Sequence, residues 1–406
     1  MVGHRYWIAV VFCLLAAAPG SWVPVLSNVL KARGWDSTIT WAFLIPPIAG
    51  MISPLVFGAR ADQRIAAEKL LGIIITAGSI FLYLAFLALE KASSPWLFLV
   101  LLMCNALIAA PGWALLTTIA LTSLETEKRS FGLYRVWGTI GWVLAGLTVS
   151  GLHLDLSPEV GKVAAGVRVL AGMCCFLLPH TPPLGVATRG LRSALGLDAL
   201  SILRDPDHRV YIITTFLLSV PLAAFYMHTP IHLKELGMER VARGMTLGQV
   251  TETAALLVMG LLIARMRLKW LFTLAIACGV ARYGLFAVGG TSPHLGWILG
   301  GVALHGLCYT FFFETGRVFL SRRVDPGLRA QVQALLTFVS FGMGSLVGTL
   351  VCGALYDFMV EAHHGGWAGY WGLLAGMCVA AGLYFLLGYK GMAAGASGGG
   401  PTKAGR

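Results

Sequence analysis

Ionisable side chains stand inside long apolar segments of this sequence, where burying a charge away from water costs free energy. Glu252 is the clearest case, because it lies nine residues beyond Arg243, the last charge before an apolar run. Gln249 lies three residues earlier, on the same face of a helix. The pKa of a carboxyl group rises on burial and falls beside a cation, which suits a group that gains and releases a proton. The alternative is a static ion pair between Glu252 and Arg282 or Arg135.

A second group of candidate functional side chains lies at the start of the fifth apolar segment of the sequence. Arg135, Thr139 and Trp142 are spaced four and three residues apart, which places them on one stripe of a helix. The stripe offers a fork of hydrogen-bond donors, a hydroxyl group and an aromatic plane. Gly138 and Gly141 allow close approach of a neighbouring helix. In the alternative interpretation, Arg135 simply extends to the cytoplasmic head groups.

Three further sets of polar side chains occupy the later apolar runs. His305 and Tyr309 are four residues apart and share one helix face, where they either bind a solute or join two helices by a hydrogen bond. Glu314 and Arg317 are three residues apart and are predicted to form an ion pair. Arg282 is predicted to be structural, as the partner of a carboxylate.

The composition shows what kind of element must carry these residues. Of the 406 residues, 57% are hydrophobic and only 12% are charged, too few to cover the surface of a water-soluble protein of this length. The charges cluster between apolar runs of about 20 residues, the length of a membrane-spanning helix. The sequence therefore predicts an all-α membrane protein.

The apolar runs divide into two sets of six. The predicted helices cover residues 6–30, 38–58, 69–90, 95–122, 131–153 and 159–180, followed by 209–233, 245–266, 269–289, 294–320, 329–357 and 366–389. We therefore expect an N-terminal six-helix bundle (1–180), a cytoplasmic central loop (181–208), a C-terminal six-helix bundle (209–390) and a disordered cytoplasmic tail (391–406).

Lysine and arginine residues set the predicted orientation. Nineteen of the thirty lie in loops on the side of the N-terminus, and seven lie in the opposite loops. Both termini are therefore predicted to be cytoplasmic. The net charge of +12 follows from this bias, so it does not indicate a nucleic-acid partner.

The sequence lacks the common signatures of enzymes and metal sites. It has no GxxxxGK[ST] phosphate loop, no HExxH and no nucleophile elbow between a strand and a helix. All eight cysteines lie within apolar runs, without a CxxC or Cys/His ligand pattern. We therefore expect no catalysis, no metal and no cofactor. Without a nucleotide site, any solute transport by such a protein would use an ion gradient or run downhill.

The layout of two six-helix bundles joined by a cytoplasmic loop resembles the major facilitator superfamily over the full length. The loop after the second predicted helix reads Gly58-Ala-Arg60-Ala-Asp62-Gln-Arg64 and is similar to that superfamily's loop motif. In such a loop, Gly lets helices cross closely, and Asp caps a helix and pairs with basic groups as the halves move. The resemblance implies that Gly58, Asp62 and Arg64 form a conformational loop motif.

A second resemblance is narrower. The string Arg135-Val-Trp-Gly-Thr-Ile-Gly141 is similar to the Arg-x-Trp-Gly-[ST]-Ile-Gly motif of the bacterial nucleoside:proton symporters and their lactose-permease-like relatives. Further segments resemble the nucleoside group: Gly20-Ser21-Trp22, Gln249-Val-Thr-Glu252, Arg282-Tyr-Gly-Leu-Phe-Ala, His305-Gly306, Glu314-Thr-Gly-Arg317-Val-Phe319 and Arg329-Ala-Gln-Val-Gln333. These segments span both halves.

The resemblance implies roles residue by residue. Glu252 would be the proton-coupling carboxyl group. The solute would be bound by Arg135, Thr139, Trp142, Gln249, His305 and Tyr309. Two polar amides of the family's seventh helix are replaced here by Ala223 and Tyr226, and an Asn of the fourth helix is replaced by Thr117. Because amides read base and ribose edges by paired hydrogen bonds, losing them changes specificity strongly.

The leading prediction is a secondary active transporter of the cell inner membrane, which imports a nucleoside-like solute with protons by alternating access. It would work as a monomer surrounded by lipid, with the proton gradient in place of a cofactor. Two alternatives stay open. One is a carrier of sugar or another solute, or an efflux transporter; the other is a non-transporting receptor or assembly factor with the same fold.

Overall fold

The computed structural model of the protein describes residues 6–57, 65–123, 131–182, 197–324, 328–362 and 366–391, and these are almost entirely helical. The predicted loop motif of Gly58, Asp62 and Arg64 lies outside the described residues. The predicted tail beyond residue 391 lies outside them as well.

The described residues form twelve helical segments, numbered α1 to α12. The N-terminal half contains α1 (Tyr6–Lys31), α2 (Ile39–Phe57), α3 (Ala67–Glu90), α4 (Pro95–Ser123), α5 (Phe131–Gly151) and α6 (Glu159–Cys175). The C-terminal half contains α7 (Pro206–Glu235), α8 (Val241–Arg265), α9 (Leu268–Thr291), α10 (Leu295–Arg323), α11 (Gln331–Glu361) and α12 (Trp367–Gly388). Between the halves lies a short 3-10 helix, Leu197–Arg204, where the sequence predicts only a polar loop.

Within the described ranges, nine segments are long and apolar enough to cross a membrane, namely all except α2, α5 and α6. Membrane crossing by those three, and the cytoplasmic position of both termini, stay predictions. The predicted helix boundaries differ from the structure by a few residues. Helix α7 begins at Pro206 rather than at residue 209, because the Asp205 side chain accepts a hydrogen bond from the backbone nitrogen of His208 over 3.0 Å.

The first helix of each half is broken after 17 residues. In α1, the α-helical part Tyr6–Trp22 ends at a 3-10 turn, Val23–Val25, where Pro24 has no backbone N–H to donate. In α7, the first part, Pro206–Leu222, ends at Ala223 before the helix resumes. Both breaks place irregular backbone near the middle of the molecule.

The fourth helix of each half is interrupted after 15 residues. In α4, the first α-helical part, Pro95–Ala109, ends at the interruption. In α10, the first part, Leu295–Tyr309, is followed by a π-helical segment, Thr310–Glu314. Matching interruptions in the two halves indicate one repeated six-helix unit, and π-helical turns are frequent at functional sites.

Glycine lets two pairs of helices touch through their backbones. A Cβ atom on Gly141 of α5 would overlap the carbonyl oxygen of Cys13 in α1. A Cβ atom on Gly306 of α10 would overlap the backbone nitrogen of Glu252 in α8. These contacts require glycine and hold α5 against α1 and α8 against α10. They therefore position the three helices that carry the polar side chains of the site, α5, α8 and α10.

Candidate functional site

A cavity of about 530 Å³ lies between the two halves. It is lined by all seven residues predicted to bind the solute or the proton: Arg135, Thr139, Trp142, Gln249, Glu252, His305 and Tyr309. They come from α5 in the N-terminal half and from α8 and α10 in the C-terminal half. The volume lies within the usual range for small-molecule sites, about 300–1,000 Å³. The structure thus brings together residues that the sequence places on three separate helices.

Helix α5 presents its polar stripe to the cavity. The Arg135 guanidinium lies 4.5 Å from the ring centroid of Trp113, a residue in the second part of α4. This cation–π contact holds the arginine inside the protein. Thr139 is 8% exposed, and Trp142 packs against Gly20 of α1. The geometry favours a site residue over an arginine that extends to the head groups.

Helix α8 supplies an amide and a carboxyl group. Gln249 is 4% exposed, and its amide nitrogen donates to the hydroxyl oxygen of Tyr226 on α7 over 2.7 Å. The amide oxygen of Gln249 is buried and has no hydrogen-bond partner among the described residues. A buried acceptor without a donor costs free energy, which is more typical of binding sites than of packed cores.

Among the described residues, no cation lies within ion-pair distance of Glu252, so a static pair with Arg282 or Arg135 does not describe this structure. Arg282 is buried on α9, and its Nη1 atom donates to Nδ1 of His305 over 2.8 Å. Its guanidinium also lies 4.3 Å from the ring centroid of Tyr283. An imidazole and an aromatic ring therefore replace the carboxylate that the sequence predicts as the partner of Arg282.

His305 is held in one orientation and one tautomer. Its ring stacks on Phe225 of α7, with 3.7 Å between centroids and 3° between planes. Because Arg282 can only donate, the Nδ1 atom of His305 accepts that bond and the ring hydrogen lies on Nε2. The imidazole is neutral in this arrangement, and its remaining polar group is an N–H donor. Tyr309 stacks one turn further along α10, with 6.0 Å between ring centroids.

Other ionisable groups of the apolar runs lie outside the cavity lining. The Nε atom of Arg317 is 3.6 Å from Oε1 of Glu314, the spacing of an ion pair. Arg168 donates to the amide oxygen of Asn105. His228 stacks on an aromatic ring of α11. Each of these contacts joins two residues of the same half, so the groups contribute to packing within that half.

Sequence reasoning missed three aromatic residues of the site. Tyr226 and Trp113 line the cavity, and Phe225 stacks beneath the cavity histidine. An aromatic residue in an apolar run resembles any packing residue, and the one available signal was that Tyr226 replaces a family amide. Ala223, at the other replaced position of α7, also lines the cavity. Thr117 instead donates to a backbone oxygen of its own helix, over 2.8 Å.

Hydrogen bonds and an ion pair join the two halves at one end of the molecule, which we call the closed end. It comprises the last turns of α1, α5, α7 and α11 and the first turn of α8. There, Ser27 and Asn28 of α1 donate to backbone oxygens of α7 over 2.6 and 2.9 Å. Lys31 forms an ion pair with Glu361 of α11. Among the described residues, all hydrogen bonds and ion pairs between the halves lie at this end, which the charge distribution predicts to face outward.

Known proteins resemble this chain over most of its length. The protein YegT of Escherichia coli (strain K12) is 30% identical over 387 residues, which cover 91% of this chain and 90% of YegT. The nucleoside permease NupG of the same organism is 26% identical over 400 residues, which cover 93% of each chain.

Comparison of this structure with solved structures agrees with the sequence similarity. A crystal structure of the nucleoside transporter NupG matches with a TM-score of 0.82 at 23% identity, over 95% of this chain and 99% of that chain. This likeness confirms the predicted fold class, an all-α multi-pass membrane protein of the major facilitator type. The sequence also matches the Nucleoside H+ symporter family over residues 5–393. The chain therefore belongs to the nucleoside:H+ symporter family.

Proposed function

We propose that this protein imports nucleosides together with protons by alternating access. The observation that carries the proposal is the position of Glu252, a carboxyl group in the wall of the cavity without an ion-pair partner among the described residues. Such a group can gain a proton when the cavity opens to one side and lose it when the cavity opens to the other. The similarity to a protein named nucleoside permease supports the choice of solute.

The chemistry of the cavity suits a molecule with an aromatic base and a hydroxylated sugar. Trp142 from one half and Tyr226 and Tyr309 from the other provide aromatic faces on which a base can stack. The guanidinium of Arg135 and the amide of Gln249 can form hydrogen bonds with base edges or ribose hydroxyl groups. Both halves therefore contribute to binding, as alternating access requires.

The closed end supports an assignment of the conformation. Because this end is predicted to face outward, we infer that the structure is the inward-facing conformation. In the outward-facing conformation, a nucleoside and a proton would enter, and the proton would neutralise Glu252. A neutral carboxyl group costs less free energy to keep away from water than a charged one, so the halves can rock and open inward. Release of both to the cytoplasm completes the cycle, and the proton gradient drives it without a cofactor.

The cell inner membrane is the proposed site of action. One chain supplies both walls of the cavity, so a monomer is sufficient for transport. The high apolar content of the helices leaves lipid as the surrounding medium.

Uptake of labelled uridine into proteoliposomes with an imposed inward proton gradient tests the proposal. We expect accumulation above the equilibrium level, abolished by a protonophore. A panel of other nucleosides and sugars, measured in the same vesicles, separates the solute classes. If no nucleoside accumulates in response to the gradient, the proposed solute is wrong; if a sugar accumulates instead, the protein is a sugar carrier of the same fold.

A further inference from the structure

Helix α8 begins without a cap of its own. The residue before its first turn is Arg240, whose side chain makes no capping hydrogen bond and carries no acceptor. The sequence accordingly predicts a start at residue 245, four residues later than the observed start at Val241. The first N–H groups of any helix lack a partner inside the helix, so those of α8 need acceptors from elsewhere.

The acceptors come from the other half of the protein. The Oδ1 atom of Asp155, in the loop after α5, accepts from the backbone nitrogen of Ala242 over 2.7 Å. The hydroxyl oxygen of Ser150, in the last turn of α5, accepts from the backbone nitrogen of Arg243 over 2.9 Å. The same hydroxyl donates to Oδ1 of Asp155 over 2.9 Å. These are the second and third N–H groups of α8, the positions that a helix's own capping residue normally serves.

The pair of acceptors is buried and depends on this contact. Asp155 is 3% exposed and Ser150 is 1% exposed. Among the described residues, no cation forms an ion pair with Asp155, so its charge faces the positive end of the α8 dipole instead. Below the cap, Gly146 of α5 packs against Thr246 of α8 closely enough that a side chain would not fit.

We infer that Asp155 and Ser150 are positioning residues that cap α8 across the two halves and thereby hold the closed end shut. When the halves separate at this end, both N–H groups of α8 and the buried carboxylate lose their partners. The cap therefore favours the conformation closed at this end over the opposite one. It also fixes the helix that carries Gln249 and Glu252. The inference rests on the alternating access of the proposed function, although its test uses no substrate.

Hydrogen–deuterium exchange of the full chain in lipid nanodiscs tests the inference. In Asp155→Ala, we expect backbone exchange at the closed end, in segments 24–31 and 227–246, to rise about fivefold, the effect of losing one helix cap. At the opposite end, in segments 131–138 and 255–265, exchange should fall, because the population moves towards the conformation closed there. Ser150→Ala should act in the same direction, and it serves where the aspartate variant fails to fold.

Two variants separate capping from general stability. Asp155→Asn keeps an acceptor oxygen and loses only the charge, so exchange at the closed end should rise less than in Asp155→Ala. Glu159→Gln removes another carboxyl group near the same loop, whose bond to Lys162 stays within one half, and it should leave the pattern unchanged. Faster exchange at both ends, or no change at either end, would overturn the inference. A failure to transport nucleosides would not affect this readout, so the two proposals fail independently.

Discussion

The amide nitrogen of Gln249 donates to the hydroxyl oxygen of Tyr226 over 2.7 Å, and this bond joins α8 to α7 in the wall of the cavity. The Tyr226 ring also packs against Trp142 of the other half, with 5.9 Å between centroids. One side chain therefore fixes the orientation of a site amide and contacts the opposite wall. It stands where the family resemblance implies an amide, so a phenol lines this part of the cavity instead.

Replacing Tyr226 with phenylalanine should weaken solute binding with little effect on folding. The ring contacts persist, but the Gln249 amide loses its partner and is free to rotate. A hydrogen bond of this kind contributes about 1 kcal/mol, so we expect KM for nucleoside uptake to rise about fivefold while kcat changes little. The concentration dependence of uptake in proteoliposomes measures this. Tyr384→Phe, at a partly exposed side chain of α12, is the matched control, and an unchanged KM in Tyr226→Phe would show that the bond does not orient the amide for binding.

Replacing Arg282 with methionine should destabilise the C-terminal half. The substitution keeps most of the side-chain volume but leaves the buried Nδ1 atom of His305 without a donor. Loss of a hydrogen bond to a charged group lowers the free energy of unfolding by about 2 kcal/mol. Thermal unfolding of the purified protein in detergent checks this against Arg265→Met, at an exposed residue of α8. Equal unfolding temperatures for the two variants would contradict a structural role for Arg282.

Replacing Gly306 with alanine should separate α8 from α10. The added methyl group would overlap the backbone nitrogen of Glu252, and backbone cannot move aside as a flexible side chain can. Overpacking of this kind costs about 1–3 kcal/mol, and we expect loss of most uptake activity together with lower thermal stability. Gly284→Ala is the control, because no heavy atom lies within 4 Å of a Cβ atom at that position. Normal uptake by Gly306→Ala would mean that the close helix contact is dispensable.

Much of the fold and the chemistry of the site could be predicted from the sequence. Apolar runs of membrane-spanning length are visible without any tertiary information. Arg135 and Glu252 are conspicuous because a charge in such a run is costly, and helical spacing then identifies their neighbours Thr139 and Gln249. The interruption of α10 at Thr310–Glu314 has no such local signal.

Contacts between distant segments could not be predicted in the same way. The bond between Arg282 and His305 depends on how α9 packs against α10, which neither helix encodes locally. The cap of α8 joins Asp155 to Ala242, in opposite halves of the chain. Tyr226 and its neighbours look like ordinary packing residues until the breaks in the helices bring them to the cavity.

Proton movement that accompanies nucleoside movement tests the central claim most directly. Proteoliposomes that contain an internal pH indicator, with no imposed gradient, would receive a nucleoside from outside. They would carry the wild-type protein, Glu252→Gln or the matched variant Glu314→Gln, whose carboxyl group lies outside the cavity lining. We predict that the interior acidifies with the wild type and with Glu314→Gln. With Glu252→Gln, labelled nucleoside should still exchange across the membrane, but without acidification. Acidification by Glu252→Gln at the wild-type ratio of protons to nucleoside would contradict the assignment of Glu252 as the coupling group.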